Sequence, residues 1–427
     1  MVSTAIWARA EEGEEEKGVS GKRARARTTP PPGLPSIPLE VQLLIVEFSL
    51  SSSATYSHLR TRYELLLTYS RVSRAWYAFT RRLLYRDVLL PSPQRASLFL
   101  RTCSSDDIKP TLVRTLRVGK VPWLGKTYEQ MADEQEAMME EEDSPDGTVV
   151  AEAFGLDELL RRCSALEELW IAGVSHCLLS ALQHAQSLEA LHLLRCGVCD
   201  CDTDPFSPAT APLVLPSLVR AELFIRTSSR SVRETFLTPS ALPAMRHFSY
   251  ACHDDDLPPP SLLPQLTSLS TVTDIPPSIK ESPLLFLDAY QLPVREALDH
   301  LPPTLLIVRL NDFNPLFSSF PWLLIDASTS NALADRLPNL RELWVPASYS
   351  EWRDDTKESV REMVQKWVKR WEARGVKVVF EEEEPENVGL VVEDRRLSER
   401  GAWDFTFQEL CGRVDRWKLE GAEETRE

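Results

Sequence analysis

The sequence predicts an α/β protein in which a short N-terminal helical module leads into an irregular solenoid of stacked strand repeats. Three observations carry that expectation. A strand signature, Leu-x-x-Leu-x-Leu, recurs along the middle of the chain, and its two best copies are set 22 residues apart. The chain holds 31 prolines against 15 glycines, a balance that suits many short elements divided by stiff turns. At 427 residues it exceeds the size at which one compact core stops growing, so two domains or one elongated array is expected.

In chain order, residues 1–33 read as a disordered tail, passing from acidic residues through Lys22, Arg23, Arg25 and Arg27 into Pro30-Pro31-Pro32-Gly33. The basic cluster reads either as a nuclear localisation signal or as solvated charge. The helical module, residues 34–90, opens at Leu34-Pro35-Ser36-Ile37-Pro38-Leu39-Glu40, where Pro38 suits a first helical turn and Glu40 complements the helix dipole. Ile37, Val41, Leu44, Ile45 and Phe48 then fall on one helical stripe. Leu43, Val46 and Leu50 lie off it, so this helix has more apolar surface than one contact covers. After a polar stretch, Ser51 to Arg62, a second helix is expected over Tyr63–Tyr69. A third carries Val72, Ala75, Trp76, Phe79 and Leu83 on one stripe. Three short helices are marginal alone, and surplus apolar surface on them points to a partner or to packing on the next domain.

The solenoid is expected over residues 110–380. Val113, Leu116 and Val118 form its first trio, followed by Leu166, Leu169 and Ile171, then by Leu188, Leu191 and Leu193 with Cys196 three positions on. A period of 22 lies within the range of leucine-rich repeats. Weaker copies start at Leu218, Met245, Leu266, Leu284, Leu305 and Leu340, many of them entered through Leu-Pro-x-Leu. Alternate residues of a strand point the same way, so each trio faces one core. Three such side chains contribute ~5–9 kcal/mol, whereas ordering ~22 residues costs ~20–40 kcal/mol. One repeat therefore cannot stand alone, and neighbours must share core and hydrogen bonds. An all-helical solenoid is the competing architecture, since the segments around Leu159 and Leu182 look helical; the strand-like trios argue against it.

Two features interrupt the array: an acidic inserted loop near 128–148, containing Glu140-Glu141-Glu142-Asp143, and an insertion around Asn311 to Ser328. A C-terminal capping helix follows, with Val360, Met363, Val364, Trp367, Val368 and Trp371 on one face and Gly375 as C-cap, then a strand with Val376, Val378 and Phe380. Residues 381–427 read as a charged C-terminal tail holding one small helix near Phe405 to Trp417.

The formal net charge is −16. Such a surface is repelled by phosphate backbones and anionic lipid, so neither nucleic acid nor membrane is an expected partner. No run approaches 18 apolar residues, and Met1 to Ala10 lacks the pattern of a signal peptide. An intracellular setting is expected, nuclear or cytoplasmic, with the eight cysteines as free thiols. No Gly-rich phosphate loop, G-x-S-x-G or H-E-x-x-H is present. No cofactor, metal or catalytic residue is assigned. Cys196, Cys199 and Cys201 with His192 lack the second ligand pair of a zinc site. Cys252-His253 before Asp254 to Asp256 resembles a nucleophile beside a base but falls at a repeat turn. The acidic runs Glu140 to Asp143 and Glu381 to Glu384 read as solvated surface. Trp170, Trp344 and His192 alternate with inward positions, and either bind a partner on the strand face or pack there.

Leu34-Pro35-Ser36-Ile37-Pro38-Leu39-Glu40 with Leu44-Ile45, then Val72-Ser73-Arg74-Ala75-Trp76, resembles an F-box, with serine where cysteine is common in the second segment. Leu84-Tyr85-Arg86-Asp87-Val88-Leu89 is similar to the exit segment of fungal F-box proteins with leucine-rich repeats. The match covers about 55 residues closely, and the polar stretch Ser51 to Arg62 departs from the compact pattern. The resemblance implies a non-catalytic substrate receptor of a Skp–cullin–F-box ubiquitin ligase. Its expected contacts with the Skp-type adaptor, and through it a cullin, are Leu34, Pro35, Ile37, Pro38, Val41, Leu44, Ile45, Val72 and Trp76, while the repeats hold an unknown protein substrate. Two alternatives stand beside it. One is a repeat scaffold that no longer binds the adaptor; the other is a hydrolase-type enzyme with a pocket around His253.

Overall fold

A computed structural model describes residues 37–50, 56–104, 110–119, 151–172, 179–197, 213–227, 236–252, 259–271, 277–289, 298–310, 327–345, 358–380 and 405–424. The expectations for the tail 1–33, for Leu34 and Pro35, for the acidic loop near 128–148 and for Glu381 to Glu384 fall outside these residues. The chain divides into two units, residues 1–49 and 50–427, taken here in turn.

The described part of the first unit is helix α1 (Leu39–Ser49). The Pro38 carbonyl accepts from the Gln42 N–H, so Pro38 stands at the helix entry, where a missing N–H is harmless.

The second unit is an α/β fold built on one sheet of eleven parallel strands in strict sequence order. These are β1 (Asp87–Leu90), β2 (Thr115–Gly119), β3 (Glu168–Ala172), β4 (Ala190–Gly197), β5 (Arg220–Thr227), β6 (His247–Cys252), β7 (Ser268–Thr271), β8 (Phe286–Ala289), β9 (Ile307–Leu310), β10 (Glu342–Val345) and β11 (Lys377–Phe380). Each strand pairs with its sequence neighbours and no other, which is a solenoid-like arrangement of repeats rather than a doubly wound sheet. Helices α2 (Tyr56–Tyr69) and α3 (Arg74–Arg86) precede β1, and α4 (Pro93–Ser104) follows it. Then come α5 (Leu156–Arg162), α6 (Ala327–Arg336), α7 (Glu358–Glu372) and, beyond the last strand, α8 (Phe405–Glu424).

The strand trios face one core. Leu166, Leu169 and Ile171, then Leu188, Leu191, Leu193 and Cys196, and the corresponding residues down to Leu340, Leu343 and Val345 are all buried in a single cluster. Strands β2 to β7, β9 and β10 are entered through a tight turn closed by a backbone bond three residues long. Examples are Leu218 N–H to the Leu215 carbonyl at 3.3 Å, and Leu340 N–H to Leu337 at 3.2 Å. The proline of Leu-Pro-x-Leu sits second in that turn, where its fixed φ fits and no donor is needed. Turn side chains then bond back to the preceding repeat: Gln265 to the Leu242 carbonyl (2.8 Å), Asn339 to Pro303 (3.0 Å) and Ser187 to Leu166 (2.9 Å). Just ahead of β2 to β9, one carbonyl accepts two successive N–H groups of the next repeat. Arg114 accepts from Glu167 and Glu168, and Leu306 from Arg341 and Glu342, and these paired bonds lock the parallel register.

Several boundaries differ from the sequence reading. The sheet begins at β1, inside the segment assigned to the helical module, because Val88 and Leu90 already alternate inward. Helix α2 starts at Tyr56, so the polar stretch is partly helical, and α2 and α3 belong to the same unit as the sheet. Tyr63 donates to the Asp87 carbonyl, and Arg62 lies 3.5 Å from the Asp87 carboxylate. The segments near Leu159 and Leu182 are helical as their pattern suggested, one α-helical and one a 3-10 turn, and both serve as connections between strands. The capping helix and strand are α7 and β11, with Val364, Trp367 and Trp371 buried and Gly375 left-handed at φ 79°. The 405–424 segment is a full helix packed on the sheet rather than a small helix in a tail.

Candidate interaction surfaces

The described α1 stripe is exposed. Ile37, Val41, Leu44 and Ile45 stand between 43% and 52% accessible, and Phe48 reaches 86%, while Val46 on the other side is buried. Isolated exposed apolar side chains are ordinary, but five at helical spacing form a continuous patch. On α1 the stripe residues are thus exposed and Val46 is the buried one. Pro38 is also exposed. Val72 is 59% exposed, in the turn ahead of α3 rather than within it. Ser73 caps α3, its hydroxyl accepting from the Trp76 N–H at 3.2 Å. Trp76 is half-buried and meets Tyr69 edge-to-face at 5.6 Å, so part of its surface serves the local core.

The second candidate is the sheet face pointing away from the repeat core. Register places Arg117, Trp170, His192, Glu222, Ser249, Ser270, Asp288, Arg309 and Trp344 in one row across β2 to β10. Alternation makes this row the outward partner of the leucine trios. At its β3–β4 end, Trp170 stacks on His192 with ring centroids 3.7 Å apart and planes 9° off parallel, and the Arg117 guanidinium lies 5.7 Å from the indole. His192 is fully buried between two carboxylates, Glu222 at 3.1 Å from Nδ1 and Glu168 at 3.4 Å from Nε2. Both carboxylates lie within ion-pair distance of the ring. Burial opposes the imidazolium, yet Glu222 and Glu168 outweigh it and raise the His192 pKa. Burial likewise opposes the Glu168 carboxylate, but His192, Arg117 and the Trp170 indole hold it down at about 2. Further along the row, Ser270 donates to Asp288 at 2.8 Å and Arg309 pairs with the same carboxylate at 3.4 Å.

The β10 end is built on the same local device as β3. Glu168-Leu169-Trp170 and Glu342-Leu343-Trp344 each place an indole N–H on the carboxylate two residues back, at 2.9 and 2.8 Å. In both a guanidinium lies against the indole: Arg117 of the neighbouring strand at β3, and Arg413 of α8, 5.6 Å from Trp344, at β10. Trp170 and His192 are therefore brought together as residues packed on the sheet, 3% and 0% exposed, while Trp344 is not with them but beneath α8.

Helix α8 covers the face over β6 to β10. Phe407, Leu410, Cys411 and Val414 are buried against Phe286 and Ile307. Arg413 donates from Nη1 to both carboxylate oxygens of Glu342, at 2.7 and 2.8 Å, and His247 reaches Asp415 at 3.0 Å through Nε2 and Ser268 at 3.0 Å through Nδ1. Burial, against the pull of Asp415, lowers the His247 pKa.

The remaining candidates resolve differently. Cys196 lies in the core and donates to the Ile171 carbonyl at 3.3 Å, on the opposite face from His192, so the two do not converge. Cys199, Cys201, His253 and Asp254 to Asp256 lie outside the described residues. Glu168, Glu222, His247 and Arg309, with Asp415 of α8, carry much of the charge on this face and belong to no motif; the signal of the four strand residues is their outward place beside inward ones. Among the described residues no helix is long and apolar enough to cross a membrane. Compared with protein-family models and with curated proteins, the chain matches none.

Proposed function

We propose that the chain is a non-catalytic substrate receptor of a Skp–cullin–F-box ubiquitin ligase. In this reading the first helix docks on the Skp-type adaptor and the leucine-rich-repeat solenoid holds a protein substrate. The observation that carries it is the exposure of the α1 stripe, since Ile37, Val41, Leu44, Ile45 and Phe48 remain open to solvent although the chain has ample core elsewhere. Leaving them bare costs solvation free energy that a partner recovers, at about 25 cal/mol per Å² buried. Their spacing fits helix-in-groove recognition, read through anchors at i, i+3, i+4 and i+7. The Leu34-Pro35 start and the Val72 to Trp76 segment supply the family resemblance. The sheet supports the second half, because eleven parallel strands in sequence order make an extended array of repeats of the kind that binds protein. Its function would be proximity: a bound substrate meets the ligase's other subunits at raised effective concentration.

The test is co-purification with the Skp adaptor, wild type beside a Leu44→Asp, Ile45→Asp double variant whose fold is checked by circular dichroism. Both positions are solvent-exposed, so the variant keeps its fold. Retention of adaptor by the wild type alone is expected. Failure of both proteins to retain it would leave a repeat scaffold without the ligase.

A further inference from the structure

Helix α8 is built into neither the sheet nor its core. The main cluster, running from Val88 to Val376, contains no α8 residue; Phe407, Leu410, Cys411 and Val414 belong instead to a separate small cluster on the other face. Every strand pairing and every inward trio is complete without the helix. What holds α8 is a short set of side-chain contacts. Four apolar side chains at offsets zero, three, four and seven lie against Phe286 and Ile307. A guanidinium at offset six lies on Glu342 and Trp344, and a carboxylate at offset eight lies on His247. Both charge contacts are oriented. Glu342 accepts from Arg413 and from its own Trp344 indole, and His247 is held by Ser268 on its other nitrogen, so each is positioned before a ligand arrives. The helix joins β11 only through residues 381–404.

We propose that the face of β6 to β10 is a docking site for an amphipathic helix of a partner protein, and that α8 is an intramolecular occupant which that helix replaces. The partner's helix carries the α8 chemistry: an aromatic residue, apolar residues three, four and seven positions on, an arginine at six and a carboxylate at eight. The aromatic fits beside Phe286, the arginine is selected by Glu342, and the carboxylate by His247. This deepens the reading of the solenoid as a substrate-binding surface and is independent of the contact through α1. A tethered helix competes at high effective concentration, so partners lacking either charged anchor are excluded.

The experiment uses the full chain with a specific protease site introduced within residues 381–404. The probe is a fluorescent synthetic peptide of residues 403–424, followed by anisotropy before and after cleavage. Binding to the cut chain is expected to be roughly tenfold or more tighter than to the uncut one, because cleavage removes the tethered competitor. A Leu410→Asp peptide is expected not to bind. An Arg413→Glu peptide is expected to bind weakly to the wild-type chain and to recover on a Glu342→Arg chain. Equal binding to cut and uncut protein, a helix that stays in place without exchange, or unfolding on cleavage would each overturn the proposal and make α8 a fixed part of the fold. Adaptor retention is read on the same samples; its loss bears on the ligase reading and leaves this one standing.

Discussion

Replacing Glu222 by glutamine isolates the buried charge cluster at the β3–β4 end of the sheet. Glu222 is 1% exposed and its carboxylate lies 3.1 Å from Nδ1 of a wholly buried His192. Removing one partner of a buried pair costs ~3–5 kcal/mol, since the other charge is left uncompensated. Glu168 still faces Nε2 at 3.4 Å, so the loss is placed at the lower end, ~3 kcal/mol. Changing His192 to glutamine as well removes both charges, and the double variant is expected to be more stable than the sum of the single losses predicts, by ~1–3 kcal/mol. The pH dependence has a defined sign. His192 has a raised folded pKa, so its contribution is complete below about pH 6.5 and is lost as pH rises through the folded value. His247 runs the other way: with a lowered folded pKa its contribution is present above about pH 6.5 and is lost as pH falls. Urea unfolding between pH 6.5 and 9 therefore reports His192. Glu222 also helps to raise the buried Cys411 thiol, so Cys411 is changed to alanine in both proteins, and the difference between wild type and Glu222→Gln then isolates the pair. A variant within ~0.5 kcal/mol of wild type, with the same pH profile, would refute the ion-paired imidazolium.

Other consequences are more local. Phe248, fully buried at the middle of the sheet, is expected to cost ~3–5 kcal/mol on truncation to alanine, whereas Leu419→Ala, 68% exposed, stays within ~0.5; chemical unfolding measures both. Ser73→Ala removes the α3 cap and is expected to cost ~1 kcal/mol in the same assay. Burial pushes the Cys163 thiol up to about 12 and raises those of Cys103 and Cys411. These three are expected to resist a thiol reagent at pH 8 in the native protein and to react once it is unfolded; rapid native labelling of any of them would contradict their burial.

The inward half of the solenoid was legible because one physical rule writes it: alternate positions of a strand share a core, so Leu166, Leu169 and Ile171 recur as a trio wherever a repeat begins. Copies with small inward residues, such as Ala221 beside Leu218 and Leu223, kept enough of the pattern to be found. The first strand did not. Asp87–Leu90 is short and was absorbed into the segment that resembles the exit of a helical module. Of the outward row, only Trp170, His192 and Trp344 stand out in the sequence, as positions alternating with inward leucines. Arg117, Glu222, Asp288 and Arg309 look like solvated charge there, and their burial depends on what lies across the face, which no local period encodes. Helix α8 shows the same limit. Phe407, Leu410, Cys411 and Val414 announce an amphipathic helix, yet only the fold shows that its docking surface lies well over a hundred residues earlier, at His247. On α1 the sequence carried two apolar sides, and the structure was needed to say which is free.

The central claim is that α1 engages a Skp-type adaptor, and calorimetric titration of purified adaptor into the full chain tests it most directly. Saturable binding with a negative heat-capacity change is expected, as apolar burial requires. Ile45→Ala and Phe48→Ala should each weaken it by about 5- to 30-fold, the effect of losing ~1–2 kcal/mol at a contact. Lys366→Ala, exposed on α7, should leave it unchanged. No binding by a folded wild-type chain, or binding indifferent to both α1 substitutions, would contradict the claim.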